Sequence, residues 1–260
     1  MSLGKNMDDN EYIVANGLDR LIDFQAGGDA QRDVYDSVSG KRILPFPLQV
    51  ADLVRLHKLV RSRKCFTVLE FGIGYSTMVM ADALRKNEIE WNALPDKPEV
   101  RNRFMFKIFS VDASMHWIEQ TKGKIPEDLR DRVHVQQSDV VIGTHIGQIC
   151  HYYKNLPDVV PDFIYLDGPT PKDVQGQVNG LSFQCDERTV MSADLLLMEP
   201  TFLPGTFIII DGRTNNARFL ERNFTRKYEI IWDKKGDITT FELQEERLGK
   251  YNILGSDFFK

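Results

Sequence analysis

A glycine turn flanked by hydrogen-bonding side chains is the part of this sequence best suited to chemistry. Residues 67–78 read Thr-Val-Leu-Glu-Phe-Gly-Ile-Gly-Tyr-Ser-Thr-Met, which predicts a buried strand, a turn at Gly72 and Gly74, and a helix. Ser76 and Thr77 are good cap residues for that helix. Such a turn brings backbone N–H groups up to a ligand, and glycine is needed where a Cβ would keep the ligand away. The pattern therefore predicts a ligand site at this turn.

The residue types around the turn distinguish two cofactors. A dinucleotide-binding fingerprint has a third glycine three residues after the second, and that position is Thr77. Glu70 ends the predicted strand, where its carboxylate would repel a pyrophosphate but attract an ammonium or a sulfonium group. The turn therefore favours S-adenosylmethionine over NAD.

Two aspartates follow the next predicted strands. Asp112 lies where a carboxylate suits ribose hydroxyls, with capping of the following helix as the alternative. It is 42 positions after Glu70, more than the usual separation of about 20, and a polar insertion at residues 86–103 accounts for the difference. Asp139 lies beyond a short third strand, where it suits an adenine amino group. Both are predicted to bind the cofactor.

Asp167 and Asp211 end two further apolar strands, so the same sheet edge is expected to collect them. Arg213, two residues after Asp211, is expected to contact an anionic group of a substrate. The five histidines show no metal-ligand spacing, and we interpret His57 and His134 as structural.

Hydrophobic periodicity supplies the elements that position these residues. Strands are predicted at 66–69, 105–111, 133–135, 163–166 and 207–210, and helices at 12–24, 48–60, 78–84, 114–122, 191–202 and 216–224. Another helix, predicted after the third strand, carries Ile146, Ile149, Cys150 and Tyr153. The chain is expected to close with an antiparallel hairpin of 228–232 and 239–243.

The stretch from Thr170 to Asp186 is polar and shows no periodicity. A long segment of this kind inside a compact domain is usually functional or disordered. Because it leaves the sheet directly after Asp167, we expect a lid over an acceptor pocket, and the alternative is a surface loop without a role.

Composition describes an ordinary globular protein. The 260 residues are 42% hydrophobic and 27% charged, and the net charge of −5 argues against a nucleic-acid partner. Three scattered cysteines favour a reducing compartment, and no apolar run approaches the roughly 20 residues of a membrane span. We expect a cytoplasmic protein without a membrane partner, with a helical and loop extension at residues 1–47 and one domain at 48–260.

The order of elements, the acidic residue before the glycines and the closing hairpin resemble the class I S-adenosylmethionine-dependent methyltransferases, over roughly residues 48–245. The resemblance implies a Rossmann-like, doubly wound α/β fold with a mostly parallel sheet. It also implies that the cofactor is S-adenosylmethionine and that its binding residues are Glu70, Gly72, Gly74, Ser76, Thr77, Asp112 and Asp139. Ser76 stands where the family has its last glycine.

Within that class, Asp167 and Asp211 resemble the small-molecule O-methyltransferases of the catechol type, in which two Asp and an Asn hold a divalent cation. The resemblance implies that both aspartates are catalytic and that they are ligands of a cation such as Mg²⁺. Gly212 replaces the adjacent Asn, so Asn215 or Asn216 would have to supply the missing oxygen. Without a metal, Asp167 would position a substrate hydroxyl or act as a base.

The expected reaction is methyl transfer to a small-molecule acceptor, at a hydroxyl, by a chain that could form a homo-oligomer. One alternative is an NAD-dependent oxidoreductase, which Glu70 and Thr77 disfavour. The other is a non-catalytic methyltransferase-like module whose cofactor pocket serves recognition.

Overall fold

The computed structural model describes residues 7–22, 48–185 and 187–258. Its centre is a seven-stranded sheet in the order β3-β2-β1-β6-β8-β10-β9, beside a three-stranded sheet in the order β5-β4-β7. The strands are β1 Thr67–Phe71, β2 Lys107–Asp112, β3 Val133–Gln137, β4 Val140–His145, β5 Gln148–Tyr153, β6 Phe163–Leu166, β7 Val174–Gln175, β8 Phe207–Asp211, β9 Tyr228–Asp233 and β10 Ile238–Leu243.

Helices connect the strands and cover the large sheet. They are α1 Asp9–Asn16, α2 Val50–Ser62, α3 Tyr75–Asn92, α4 Met115–Lys124, α5 Glu127–Arg130, α6 Asp194–Met198, α7 Thr214–Asn223 and α8 Gly255–Phe258. None of these described helices has both the length and the apolar content that crossing a bilayer requires.

The large sheet confirms the predicted fold class. Strands β3, β2, β1, β6 and β8 run parallel, and β10 and β9 add the predicted antiparallel hairpin at one edge. The first-strand side chains alternate between two apolar clusters, as a sheet covered on both faces requires. Val68 packs in the cluster with α2 and α3, and Leu69 packs in the cluster with the small sheet. The result is a Rossmann-like α/β architecture.

The prediction of a helix after the third strand is wrong. Residues 140–153 form the hairpin β4–β5 instead, turning at Ile146 and Gly147, which both have positive φ. The residues at 146, 149, 150 and 153 recur at intervals of three or four positions, which is the periodicity of a helix. The surrounding β-branched and aromatic residues, however, favour strands. A two-residue turn with positive φ twists correctly for a hairpin, and Ile is an uncommon residue in that conformation.

Three other boundaries differ clearly from the predictions. The helix predicted at 191–202 is shorter, because α6 covers Asp194–Met198 and a 3-10 turn follows at Glu199–Thr201. Helix α3 continues to Asn92 and buries Trp91, so the first part of the predicted polar insertion is helical. Helix α1 ends at Asn16 with Gly17 in the left-handed conformation, earlier than predicted. Residues 23 and 24 of that predicted helix, and most of the predicted extension at 1–47, lie outside the described residues.

Candidate functional site

The glycine turn lies at the point where the order of the parallel strands reverses. Strand β1 has β2 on one side and β6 on the other, and ligands of open α/β sheets bind outside the carboxyl ends of the strands at such a point. Gly72 has φ +114, and a Cβ on Gly168 would lie 3.0 Å from the Gly72 nitrogen. The close approach of these two backbones holds Asp167 beside the turn, as the sequence predicted for the strand ends.

The Glu70 carboxylate lies beneath the turn and is 1% exposed. Ser110, its register partner on β2, donates to Oε2 at 2.6 Å, Thr77 donates to the same oxygen at 2.6 Å, and Ser76 donates to Oε1. Thr77 Oγ1 also accepts the Gly74 N–H at 3.1 Å. Burial raises the pKa of Glu70 to about 7, although the three hydroxyls lower it. Glu70 therefore fixes the turn to the strand and to the first turn of α3.

Asp112 ends β2 beside the glycine turn. Its Oδ1 accepts the Ser114 N–H at 2.7 Å, while the cap of α4 is Ser114, whose hydroxyl accepts from Trp117. Burial raises the pKa of Asp112 to about 6. Asp139, the third carboxylate predicted to bind the cofactor, is paired with Lys154 at 3.0 Å, which lowers its pKa. Asp112 thus lies at the switch point, and Asp139 lies on the flank beyond β3.

Asp167 follows β6 at the carboxyl edge of the parallel strands. We call the space outside this edge at the switch point, where ligands of open α/β sheets bind, the cleft. Protein surrounds the carboxylate, yet 55% of its side chain stays accessible. This surrounding raises the pKa of Asp167 to about 6, with Arg213 lowering it and Asp211 raising it. Arg213 Nη2 lies 4.0 Å from Asp167 Oδ1 and donates to the Asp167 carbonyl, and Nη1 donates to the Pro169 carbonyl at 3.0 Å. Arg213 therefore ties β8 to the segment that follows β6.

Asp211 is held by its neighbour in the sheet. Tyr165 donates its hydroxyl to Asp211 Oδ2 at 2.8 Å, and burial raises the pKa of Asp211. Sequence reasoning did not single out Tyr165, because a tyrosine inside an apolar strand is typical of core.

The residues near Asp167 and Asp211 do not fit the implied divalent-cation site. Asn216 Oδ1, the oxygen a cation would need, accepts the Ser192 N–H at 3.0 Å, and Asn215 Nδ2 donates to Thr189 at 3.1 Å. Within the described ranges, no three His, Cys, Asp or Glu side chains are grouped as a metal would require. The positive charge next to Asp167 is the guanidinium of Arg213, at 4.0 Å.

The small sheet brings two further polar residues to the cleft. His151 and Tyr153 are alternate residues of β5 and are buried, and the Tyr153 ring lies 5.7 Å from the Phe71 ring at the end of β1. Tyr153 enters the sequence prediction only as one of the residues of a helix, and sequence reasoning did not single it out for a role in the site. The two side chains lie on one face because residues 148–153 form a strand and not the predicted helix.

The segment predicted to be a lid is ordered against the small sheet. Residues 171–173 form a 3-10 turn, and β7 pairs with β4 through Val174 and Val140. Phe183 is buried, whereas Leu181 is exposed. Asp186, the last residue of the predicted lid, lies outside the described ranges.

No protein-family model and no curated protein matches the chain. Among solved structures, it is similar to a SAH-bound methyltransferase of Podospora anserina, with 13% identity, 76% of this chain and 80% of the other covered, and a TM-score of 0.49. It is also similar to a SAH complex of a Bacillus cereus O-methyltransferase, with 17% identity, 92% of each chain covered and a TM-score of 0.41.

A third similar structure is the SAM-bound O-methyltransferase of tomaymycin synthesis from Streptomyces achromogenes, with 15% identity, 76% of this chain and 82% of the other covered, and a TM-score of 0.41. At such identities the similarity concerns the fold alone. The Rossmann-like α/β fold that the sequence predicted is confirmed by the sheet order of this chain.

Proposed function

We propose that this chain transfers a methyl group from S-adenosylmethionine to a hydroxyl of a small-molecule acceptor. The observation that carries the proposal is the position of the glycine turn at the switch point, with Asp112 at the end of the neighbouring strand. The solved O-methyltransferases of similar fold support the same reaction class.

The residues of the turn fit such a cofactor. A Cβ built on Gly74 meets no atom within 4 Å, so the start of α3 is open to a ligand. Helix N-termini bind anionic groups, here the methionine carboxylate, through their free N–H groups. In this proposal Gly72, Gly74, Ser76 and Thr77 form the turn that holds the methionine part, Asp112 accepts from the ribose hydroxyls, and Asp139 accepts from the adenine amino group.

The proposal assigns the chemistry as follows. The bound cofactor supplies a methyl group already activated on a sulfonium. With that cofactor bound, an acceptor oxygen would form a bond to the methyl carbon as the carbon–sulfur bond broke, and the electron pair of that bond would stay on sulfur. Asp167, accessible and with a pKa of about 6, takes the acceptor proton as a general base. Asp211 holds Tyr165 and shapes the floor of the cleft.

Two rival functions have distinct signatures. An NAD-dependent oxidoreductase is disfavoured because Thr77, at the third glycine position, is fully buried and bonded to Glu70. A non-catalytic module would bind S-adenosylmethionine without turnover. Calorimetry with S-adenosylmethionine, its demethylated product SAH and NAD tests the first rival, and transfer of a tritiated methyl group to hydroxylated compounds tests the second. Binding of NAD alone would contradict the proposal.

Replacing Asp112 with Ala is expected to weaken SAH binding by about 1–3 kcal/mol, the cost of losing charge-assisted hydrogen bonds to a ribose. The fold should persist, because Asp112 ends a strand and its side chain bonds locally, to the Ser114 N–H. Calorimetry measures the affinity, and thermal unfolding measures the stability.

Asp158→Ala, which removes a fully exposed carboxylate paired with Arg103, is the matched control and should change neither quantity. Unchanged affinity together with lower stability in Asp112→Ala would assign Asp112 a purely structural role.

A further inference from the structure

Unpartnered polar atoms are concentrated on one side of the cleft. Among the described residues, six buried side-chain nitrogen or oxygen atoms have no hydrogen-bond partner, and four of them belong to His151, Tyr153 and Arg213. They are His151 Nδ1 and Nε2, Tyr153 Oη and Arg213 Nε. Each unsatisfied buried group costs about 1–3 kcal/mol, so four in one cluster point to groups that a ligand completes.

The cluster adjoins Asp167 through Arg213, whose Nη2 lies 4.0 Å from Asp167 Oδ1. Alternate residues of a strand share a face, so His151 and Tyr153 point to the same side of β5. Burial raises the pKa of Tyr153 well above its usual value, as do the charges of Asp112 and Asp194, and Arg213 lowers it. The Tyr153 hydroxyl is therefore within electrostatic range of both the β2 end and the β8 end of the cleft.

The segment after β6 covers the cluster. The Phe183 ring meets the His151 ring edge-to-face at 6.1 Å between centroids, and both side chains are fully enclosed. Val174, also buried, holds the same segment to β4. An acceptor in contact with His151 would be shielded from water by Phe183, which suits a displacement reaction.

The hydrogen-bonding capacity of the cluster defines the ligand. Arg213 Nε and the Tyr153 hydroxyl are donors, and Arg213 adds a positive charge. Burial, together with the Arg213 charge, lowers the pKa of His151 to about 3, so its neutral ring has one donor and one acceptor nitrogen. A carboxylate accepts from the arginine and the tyrosine, and a hydroxyl oxygen accepts from the imidazole N–H. The apolar surroundings, Phe71 and Phe183, suit a ring or short carbon skeleton between the two groups.

We propose that His151, Tyr153 and Arg213 form the acceptor subsite, and that the acceptor is a small hydroxylated carboxylic acid. The inference rests on the proposed methyl transfer and adds the substrate class. Arg213 and Tyr153 hold the carboxylate, which orients the hydroxyl for attack and places it within reach of the Asp167 base. His151 donates its ring N–H to the hydroxyl oxygen, which leaves the hydroxyl proton free for the Asp167 base.

Calorimetry on the full chain, with and without saturating SAH, tests this with 2-, 3- and 4-hydroxybenzoate as probes. At least one of the three is expected to bind, and benzoate and phenol, which each lack one group, are expected to bind at least tenfold more weakly. Failure of all three to bind, with or without SAH, overturns the acceptor class. Failure of SAH itself to bind overturns the methyl-transfer proposal instead, so the two failures are distinguishable.

Paired variants test the residues. Tyr153→Phe removes only the hydroxyl and is expected to weaken hydroxybenzoate binding about tenfold, as expected for one hydrogen bond to a charged group. Tyr152→Phe, on the opposite face of the same strand, is the control and should leave binding unchanged. Arg213→Lys is expected to weaken binding at least as much as Tyr153→Phe. Arg218→Lys, within helix α7 that directly follows Arg213, is its control.

Thermal unfolding of each variant separates loss of binding from loss of folding. In Tyr153→Phe, the fold-decrease in hydroxybenzoate affinity should be at least five times the fold-change in SAH affinity. Equal effects of the two tyrosine variants on a folded protein would remove the subsite assignment.

Discussion

Replacing Asp82 with Asn is expected to lower the free energy of unfolding by about 3 kcal/mol. Asp82 is fully buried in the middle of α3 and is surrounded by four nitrogen-bearing side chains. Arg20 and Arg85 contact Oδ1 at 3.0 and 2.9 Å, and His57 and Lys86 contact Oδ2 at 3.2 and 2.5 Å.

These partners determine the size of the effect. Burial alone would raise the pKa of Asp82, but His57, Lys86 and Arg85 hold it far below its usual range. Removing one partner of a buried pair costs about 3–5 kcal/mol because the other charge is left uncompensated. The cationic partners here are partly exposed and can turn to water, so we expect the lower end of that range.

The same network joins the beginning of the chain to the helix of the glycine turn. The Tyr12 hydroxyl lies 2.7 Å from His57 Nδ1, and Lys86 donates to the Asn16 carbonyl at 2.6 Å. Helix α1 is therefore anchored to α2 and α3, so its displacement should accompany the loss of Asp82.

Urea unfolding of Asp82→Asn measures the effect. Asp128→Asn is the matched control, because Asp128 meets the other side of Arg20 at 3.0 Å but is exposed. Exposed pairs contribute about 0–1 kcal/mol, so the control should change stability by less than 1 kcal/mol. Similar losses in both variants would show that Arg20, and not the burial of Asp82, governs the stability of the network.

Replacing Glu70 with Gln is expected to remove about 2–3 kcal/mol of pH dependence between pH 5 and pH 8. The folded-state pKa of Glu70, about 7, lies above the ordinary value of 4.5. The folded state therefore holds the proton more tightly than the unfolded chain, and the free energy of unfolding falls as pH rises between these two values. Above pH 7 that decrease is complete, at about 1.36 kcal/mol per unit of pKa difference.

The test is the difference between the parent and the variant, because burial also raises the pKa values of Asp112, Asp162, Asp167 and Asp194, which adds a slope of the same sign. Urea unfolding at pH 5 and pH 8 gives the two slopes. Glu119→Gln, on the exposed side of α4, is the control and should keep the parent slope. If the variant keeps the parent slope, the pKa of Glu70 is not raised in the folded protein and the prediction is contradicted.

The sequence predicted the large sheet because its signals are local. Apolar runs such as residues 207–210, each ending in an acidic residue, give both the strand and the end that faces the ligand. The hairpin β9–β10 was equally predictable from its turn residues. The same pattern correctly placed Asp112, Asp167 and Asp211 at strand ends.

The small sheet was not predictable in the same way. Its turn uses Ile146, a residue with no turn preference, and its strand β7 consists of two residues that pair only because β4 is beside them. The acceptor side of the cleft depends on this sheet, since His151 and Tyr153 face the cleft only from a strand. The network beneath the glycine turn was also missed, because Ser110 is 40 residues from Glu70 and meets it through strand register.

Two glycines of the cleft, Gly168 and Gly74, are expected to tolerate substitution differently. At Gly168 a methyl group would meet the backbone of Gly72 at 3.0–3.1 Å, so a library of variants chosen for folding alone should already retain glycine there. At Gly74 the added carbon would meet nothing, and φ 174 is open to any residue, so the same library should accept many substitutions. A library chosen for cofactor binding should lose that tolerance. If Gly74 accepts substitutions in the folding library but not in the binding library, the cofactor contacts the protein at Gly74.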